Sequence, residues 1–383
     1  MSSARENFDV AVIGGGPAGA AAAITLARAH RRVLLVEATA SVPFKVGESL
    51  PPAALPLLRD LGAHSRLAAA SHSACPGTAA VWGGAEPMER DFIREPHGSG
   101  WHLDRPRFDA DLRATASAAG AEVRSESILS SWNRSAADGR WQLRFSQRDT
   151  TTDVSATWIV DATGRRALIA NREGATVRHD DALTAFCVLT SAASGADGRT
   201  FIEATADGWW YSALLPAGRR MLAFFTDADL PAARAVASAA GFSRGFAATR
   251  HIHATVGALP PAAIDRVRRI PAGSMSRVAF AGDGWLAVGD ATLAFDPLSS
   301  QGIFHALYTG LRGAEATVAA LAGDKGALTA WHDRLSAILA AYRRHLAQCY
   351  VGETRWPAAP FWRRRHAMSG AATQPAAVLA ETF

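Results

Sequence analysis

The first forty residues alternate apolar runs with one glycine-rich segment. Residues 9–13 form a β-prone apolar run, residues 18–29 are good helix formers, and residues 32–37 form a second apolar run. Between the first run and the helix, residues 14–19 have the composition of a tight turn. The pattern therefore predicts one strand–turn–helix–strand unit.

The rest of the chain indicates a second layer of structure. Further helices or strands are predicted from apolar periodicity at 55–61, 107–119, 141–145 and 158–161. Between 183 and 281 the pattern changes to short β-like runs with aromatic clusters, and a buried-strand pattern returns at 285–289. Helices are predicted from 302 to 348, and residues 367–383 have the composition of a loose tail. We therefore predict an α/β fold with an inserted sheet.

Charge and cysteine content narrow the function classes. The net charge of +5 is mildly basic, and the basic cluster at 363–366 lacks interleaved aromatics, so no nucleic-acid partner is expected. The cysteines Cys75, Cys187 and Cys349 have no metal-ligand spacing, so we predict buried thiols, a reducing compartment and no metal. A polar start and the lack of a long apolar run predict a cytoplasmic protein without a membrane span.

The glycine-rich turn predicts a dinucleotide site because of its position. It follows a strand, opens a helix and precedes an acidic residue at the end of the next strand. Its glycines permit a sharp turn and a close approach of pyrophosphate, and the helix start offers free N–H groups to the phosphates. We assign cofactor binding to the turn and to the acidic residue: Gly14, Gly16, Pro17, Ala18, Gly19 and Glu37.

Two later segments point to FAD as the dinucleotide. Residues 158–165, which contain Asp161, resemble the D-A-T-G signature of FAD-dependent monooxygenases and halogenases. Residues 286–291, which contain Gly289 and Asp290, resemble the G-D-A signature of the same families. The resemblance implies that such an aspartate binds the flavin ribityl hydroxyls, since a carboxylate can accept two hydrogen bonds from neighbouring hydroxyls.

Further segments are similar to the same flavoproteins. Residues 45–49 resemble the V-G-E-S loop of flavin halogenases, and residues 102–112 resemble the R-x-x-F-D-x-x-L helix, in which we assign Arg107 as the arginine near the flavin. Residues 295–303 resemble the loop that cradles the isoalloxazine ring, which adds four cofactor-binding residues: Pro297, Gln301, Gly302 and Ile303. Residues 353–365 look like a block of halogenase-like enzymes that hydroxylate tryptophan side chains during tryptophylquinone maturation. They can equally be a docking segment.

The resemblance also implies an architecture. It is a Rossmann-like FAD-binding domain of the glutathione reductase and p-hydroxybenzoate hydroxylase type, with an inserted β-sheet substrate domain and a C-terminal helical region. The implied boundaries are 1–75, 100–180 and 280–350 for a discontinuous FAD domain, 76–99 and 181–279 for the substrate domain, and 351–383 for a C-terminal segment.

Halogenation is disfavoured by two features of the sequence. Tryptophan halogenases carry a W-x-W-x-I-P segment. When Leu215 and Pro216 of this chain are aligned with the Ile-Pro pair of that segment, Tyr211 and Ala213 fall at the two tryptophan positions. Halogenases also use a lysine to relay hypohalous acid, and no lysine lies between Arg66 and Trp101.

The expected activity is therefore FAD-dependent hydroxylation of an electron-rich aromatic substrate through a C4a-hydroperoxyflavin. The expected partners are an aromatic small molecule or a tryptophan-containing peptide or protein, and the expected co-reactants are O2 and either NAD(P)H or a separate reductase. Three alternatives stay open: a flavin halogenase, a saturase of the geranylgeranyl reductase type, and a flavoprotein that mainly binds a precursor protein during cofactor maturation.

Candidate residues for the chemistry come from loops and aromatic clusters. Glu48, Ser49 and Tyr211 are assigned as catalytic, and Trp209, Trp210 and Tyr211 as substrate-binding by ring stacking. A general base would help to remove the ring proton, and five histidines are candidates: His97, His102, His251, His253 and His305.

Overall fold

The computed structural model describes residues 6–40, 45–148 and 150–367. Its strands are β1 Glu6–Ile13, β2 Val33–Val36, β3 Ser49–Leu50, β4 Ser73–Cys75, β5 Gly77–Val81, β6 Met88–Asp91, β7 Gly100–His102, β8 Glu122–Arg124, β9 Ile128–Arg134, β10 Trp141–Gln147, β11 Thr150–Asp161, β12 Val177–His179, β13 Leu183–Ser191, β14 Thr200–Thr205, β15 Gly208–Leu215, β16 Arg219–Asp227, β17 Arg268–Pro271, β18 Met275–Arg277, β19 Ala281–Gly282, β20 Trp285–Ala287 and β21 Leu293–Ala294. Its helices are α1 Pro17–Arg28, α2 Ala54–Asp60, α3 His64–Ala69, α4 Arg105–Ala118, α5 Leu168–Arg172, α6 Pro231–Ala235, α7 Ala239–Ala247, α8 His251–Val256, α9 Gly302–Leu321, α10 Ala327–Val351 and α11 Pro360–Ala367. The predicted tail at 367–383 lies almost wholly outside the described residues.

The main sheet is built around parallel strands in the order β8-β2-β1-β11-β20. Strand β10 extends it through antiparallel pairing with β11, β9 pairs with β10, and β19 pairs with β20. All four residues of β2 and the last four of β1 are buried, as expected for parallel strands covered on both faces. This arrangement confirms the predicted α/β fold of the Rossmann-like, FAD-binding type.

Small residues let the first helix pack closely. Ten of the twelve residues of α1 are buried, and most of these are alanines. Where α1 meets α9, a Cβ atom added to Gly310 would lie 2.2 Å from the carbonyl oxygen of Ala18. The backbones of α1 and α9 therefore approach too closely for any side chain at position 310. This contact joins the beginning of the chain to its last third.

A second sheet of seven strands has the order β17-β13-β16-β15-β14-β5-β6. It draws its strands from two separated parts of the chain, 77–91 and 183–271. The sequence pattern predicted only short β-like runs between 183 and 281, but α6, α7 and α8 occupy most of 231–256. These helices cover one face of the sheet, where Phe242 and Phe246 of α7 are fully buried.

The C-terminal region closes the other face of this sheet. Trp362 of α11 is fully buried and donates a hydrogen bond of 2.8 Å from its indole nitrogen to the carbonyl oxygen of Thr205. Arg365, which is 3 % exposed, forms a 2.7 Å ion pair with Asp227, which is 2 % exposed. Arg364 also contacts Asp227, at 3.0 Å. The docking interpretation of residues 353–365 therefore has direct structural support.

Replacing Arg365 with methionine is expected to destabilise the protein by about 3 kcal/mol, because Asp227 would keep its buried charge with only Arg364 as a partner. The measurement is urea unfolding of the flavin-loaded protein. The matched control is Arg363→Met, since Arg363 is exposed on the same helix. The Arg363→Met substitution should change the free energy of unfolding by no more than about 0.5 kcal/mol. Equal losses for the two variants would contradict the role of the ion pair.

Two further predictions concern the chain as a whole. Cys75, Cys187 and Cys349 are all buried and outside any disulfide, as predicted. Among the described residues, none of the helices combines the length and apolar character needed to cross a membrane.

Candidate active site

The glycines of the turn before α1 have different structural roles. Gly14 has φ +111°, and a Cβ atom there would lie 2.3 Å from the carbonyl oxygen of Ala162. A Cβ atom on Gly19 would lie 1.8 Å from the carbonyl oxygen of Gly14. Gly16 has free space around it, with only the Lys45 amine at 3.9 Å. Gly14 and Gly19 thus serve backbone packing, whereas Gly16 leaves room for a ligand.

Pro17 and Ala18 connect this turn to the second cofactor motif. Pro17 occupies the first turn of α1, where a missing N–H is harmless. A Cβ atom on Gly289 would lie 2.8 Å from the Cβ atom of Ala18. The two glycine motifs, far apart in sequence, therefore meet at the start of α1.

Glu37 lies at the end of β2 and already holds the turn. One carboxylate oxygen accepts a hydrogen bond of 2.8 Å from the Gly15 amide, and the other accepts bonds from Thr39. The oxygen that accepts from Gly15 has a further lone pair for a ribose hydroxyl. The sequence pattern gave no indication of Arg113 of α4, which donates a 3.1 Å bond to the carbonyl oxygen of Gly15.

The arginine that reaches the V-G-E-S loop is Arg105 rather than Arg107. Arg105 is buried and donates to the carbonyl oxygens of Val46 and Gly47 at 3.0 and 2.7 Å, while it pairs with Asp109. Arg107 is 63 % exposed and pairs with an acidic residue one turn along α4. The assignment of Arg107 is therefore corrected: the first arginine of the R-x-x-F-D-x-x-L pattern is Arg105, and the phase of the helix turns Arg107 away.

Replacing Arg105 with alanine is expected to raise the dissociation constant for FAD by about ten-fold, because the loop loses two hydrogen bonds to a charged group. Arg107→Ala is the matched control on the same helix and should change it by less than about two-fold, as for an exposed pair. Fluorescence titration of the apoprotein with FAD measures both. If Arg107→Ala raised the dissociation constant for FAD more than Arg105→Ala, Arg107 would be restored as the arginine near the flavin.

The two signature aspartates differ in how much bonding capacity remains. Asp161 is fully buried, and its oxygens accept bonds from backbone amides of Thr163, Ile169 and Ala170 at 2.9 to 3.0 Å. Its carboxylate therefore holds the turn before α5, so the cofactor contact assigned to its side chain is reassigned to positioning. Asp290 is 38 % exposed and has a distant Arg165 guanidinium at 3.8 Å. Asp290 is thus the carboxylate with free capacity for ligand hydroxyls.

The loop before α9 provides the fourth part of the site. Pro297 begins a short 3-10 turn, and Gln301 is the N-cap residue of α9. A Cβ atom on Gly302 would meet no atom within 4 Å, so the N–H groups of this helix start are approachable. Ile303 is 5 % exposed and anchors the helix in the core. Such a helix start suits the electron-rich pyrimidine edge of a flavin.

Glu48, Ser49 and Tyr211 are brought together from two distant segments. The hydroxyls of Ser49 and Tyr211 share a hydrogen bond of 2.8 Å. Burial raises the pKa of the Glu48 carboxyl above its usual value, and a hydrogen bond from Tyr211 partly opposes this. Burial also raises the pKa of Tyr211 well above 10, so its phenol stays protonated. The cluster can hold a proton on Glu48 or pass it along its hydroxyls.

The two tryptophans of β15 are core residues. Trp210 lies on the face covered by α7 and packs against Phe242 at a ring distance of 5.0 Å. Trp209 lies on the opposite face, stacked 3.8 Å from Phe225, and is 1 % exposed. Neighbouring residues of a strand point to opposite faces, and both faces here are covered. Neither tryptophan is accessible for stacking on a substrate, so that assignment is corrected and only Tyr211 retains it.

The five candidate histidines occupy different environments. His102 has both ring nitrogens engaged, by Leu214 and Thr200, and burial lowers its pKa to about 4. His97 lies in a partly exposed loop, and His251 and His253 lie on α8. His305 is 3 % exposed, and its Nε2 atom has no hydrogen-bond partner among the described residues. Of these five histidines, only His305 therefore combines burial with a ring nitrogen that has no partner among the described residues.

Comparisons with known proteins agree with this geometry. The family model described as an FAD binding domain matches residues 7–323. The chain is 29 % identical over 370 residues to LodB of Marinomonas mediterranea, described as an FAD-dependent oxidoreductase, covering 95 % of this chain and 98 % of that protein. It is 28 % identical to the flavin-dependent halogenase armH3 of Armillaria mellea, covering 88 % and 72 % of the two chains.

Solved structures share the fold over most of the chain. The peptidyl tryptophan dihydroxylase QhpG, described as essential for tryptophylquinone cofactor biogenesis, has a TM-score of 0.78 at 25 % identity and covers 94 % of this chain and 78 % of its own. The flavin-dependent halogenase CmlS has a TM-score of 0.82 at 24 % identity, covering 100 % and 70 %. The family match, the glycine turn and the open Asp290 carboxylate agree, and the chain belongs to the FAD binding domain family and is an FAD-dependent oxidoreductase.

Proposed function

We propose that this protein is a monooxygenase that hydroxylates an electron-rich aromatic ring, an indole or a tryptophan side chain. The observation that carries the proposal is the placement of lysines. The sequence contains Lys45 and Lys325 only. Lys45 is held in a 2.6 Å ion pair with Asp109 beside Gly16, and Lys325 is exposed in the turn between α9 and α10. Neither amine is free beside the Glu48 cluster to relay hypohalous acid.

The residues of the candidate site fit the cofactor that this reaction requires. Gly16 and the start of α1 would hold the pyrophosphate, Glu37 the adenosine ribose, Asp290 the ribityl hydroxyls, and the start of α9 the flavin ring. FAD, when bound and reduced, supplies electrons and activates dioxygen. The overall balance is one aromatic C–H, O2, NAD(P)H and a proton giving one C–OH, NAD(P)+ and water.

The protein residues position the ring and manage protons. An indole or phenol is already nucleophilic, so the ring needs alignment and exclusion of water more than activation. When oxygen replaces hydrogen on the ring, a proton leaves. Glu48 can accept it and return it through the hydroxyls of Tyr211 and Ser49. The structural similarity to QhpG, a peptidyl tryptophan dihydroxylase, supports tryptophan in a peptide as the substrate class.

Product mass and halide dependence together test the proposal. The flavin-loaded protein is supplied with NADH, NADPH or a flavin reductase system, 18O2 and a tryptophan-containing peptide, with and without chloride and bromide. A product that gains 18O in either condition supports the monooxygenase.

A product that carries halogen and forms only with halide would replace the proposal with halogenation, which the curated halogenase relatives favour. Reduction of a double bond without oxygen would instead point to the saturase alternative. A stable complex with a precursor protein but no turnover would favour the binding role.

A further inference from the structure

A cavity of about 370 Å³ lies between α9, α10 and the loop that precedes α9. This volume falls at the lower end of the range of roughly 300–1,000 Å³ for small-molecule sites. Four of its lining residues are aromatic: Phe295, Phe304, Tyr308 and Tyr342. The cavity is therefore suited in size and lining to a flat aromatic ring.

His305 gives this cavity one unusual polar group. It lines the cavity, is 3 % exposed, and has a buried Nε2 atom without a partner among the described residues. Buried polar atoms are rarely left unpaired, so this atom can accept a hydrogen bond from a bound ligand. Burial lowers the pKa of His305 to about 4, so the ring is neutral at pH 7 and can accept a hydrogen bond.

The cavity adjoins the part of the fold assigned to the flavin. Ser299 and Gln301 line it and belong to the loop that opens α9. Phe295 lines it as well and packs against the same hydrophobic core as Tyr211. A ring bound there would thus lie beside the flavin-binding loop and border the core that supports the Glu48 cluster.

We propose that this cavity binds the aromatic ring of the substrate, and that His305 Nε2 accepts a hydrogen bond from the ring N–H. The assignment rests on the proposed hydroxylation and names its substrate class as an indole with a free N–H. Aromatic side chains supply most of the contact area, and the single acceptor fixes the orientation of the ring. His305 is accordingly a substrate-binding and specificity residue.

Binding can be measured without turnover by 19F NMR, with 5-fluoroindole as the probe and the flavin-loaded protein. Ala341 lines the cavity, and the neighbouring Ala340 on α10 is exposed. Ala341→Trp should fill the cavity and remove binding of the probe, whereas Ala340→Trp should leave the dissociation constant unchanged. Equal binding by the wild type and both variants would overturn the cavity assignment.

The hydrogen bond between His305 and the ring N–H is tested by changing the acceptor in the protein and, separately, the donor in the ligand. His305→Phe should weaken the binding of 5-fluoroindole by about ten-fold, the usual effect of losing one such hydrogen bond. N-methyl-5-fluoroindole lacks the donor, so it should bind the wild type about ten-fold more weakly and should not distinguish wild type from His305→Phe. The ligand comparison on the wild type stands even if the variant does not fold. Equal affinity of the wild type for the two probes would overturn the role of His305.

The outcome is independent of the oxygenation test. Specific binding of 5-fluoroindole in this cavity without any hydroxylated product would retain the site and reject the proposed reaction. Hydroxylation that survives in Ala341→Trp at the wild-type rate would retain the reaction and reject the site.

Discussion

A Gly16→Val variant is expected to fold normally and yet to lose FAD. Gly16 has an extended backbone that valine accepts, and a Cβ atom there meets only the Lys45 amine at 3.9 Å. The added side chain would instead occupy the path by which the pyrophosphate approaches the turn. We expect the dissociation constant for FAD to rise by about 1,000-fold, equivalent to about 4 kcal/mol. Titration of the apoprotein measures this.

The control for this prediction lies three residues further along the same turn. A Cβ atom on Gly19 would lie 1.8 Å from the carbonyl oxygen of Gly14, so Gly19→Ala must distort the backbone itself. Thermal melting of the two apoproteins should therefore separate them, with Gly16→Val close to wild type and Gly19→Ala strongly lowered. If Gly16→Val contains FAD at the normal level, the pyrophosphate of the cofactor does not approach the backbone at this glycine.

The second large effect is expected at Glu48. Glu48→Gln keeps the shape of the side chain but removes the proton acceptor, so formation of hydroxylated product should fall by about 100- to 10,000-fold. The reduction of bound FAD by the electron donor should be unchanged, because no part of that step uses the carboxyl. Oxygen consumption and product formation are measured together, and oxygen consumption without product would identify an uncoupled enzyme.

The partner of Glu48 supplies the matched comparison. Tyr211→Phe removes the hydroxyl that Ser49 contacts at 2.8 Å and that also hydrogen-bonds Glu48, while the Glu48 carboxyl stays in place. A loss of about ten-fold is expected, in line with one hydrogen bond. If Glu48→Gln forms product at the wild-type rate, the carboxyl only shapes the loop and the proton leaves by another route.

The sequence was sufficient to propose the cofactor motifs because each is local. A strand, a glycine turn and a helix start are encoded by neighbouring residues, so positions 14–19 and 289–290 could be assigned without knowledge of distant contacts. The fold class followed from the same periodic runs. The ion pair between Asp227 and Arg365 could not be predicted, since its partners are 138 residues apart and nothing local distinguishes them.

Two misassignments had signals that were present in the sequence. Arg105 and Arg113 share one face of α4 with Asp109 at spacings of four, whereas Arg107 falls on another face. Trp209 and Trp210 are adjacent in a strand, so at most one of them could face any given site. Helix phase and strand alternation would have corrected these two assignments, while the burial of both tryptophans depends on α7 and the C-terminal region.

The close contact between Gly310 and Ala18 has a consequence for biosynthesis. Both halves of the proposed cofactor site, the turn at 14–19 and the segment 289–302, are held together by the packing of α1 on α9. A nascent chain that has emerged only as far as the second sheet carries one half of that site. FAD can therefore bind to both halves only after most of the chain has left the ribosome. The cofactor can stabilise the finished fold but cannot assist the first steps of folding.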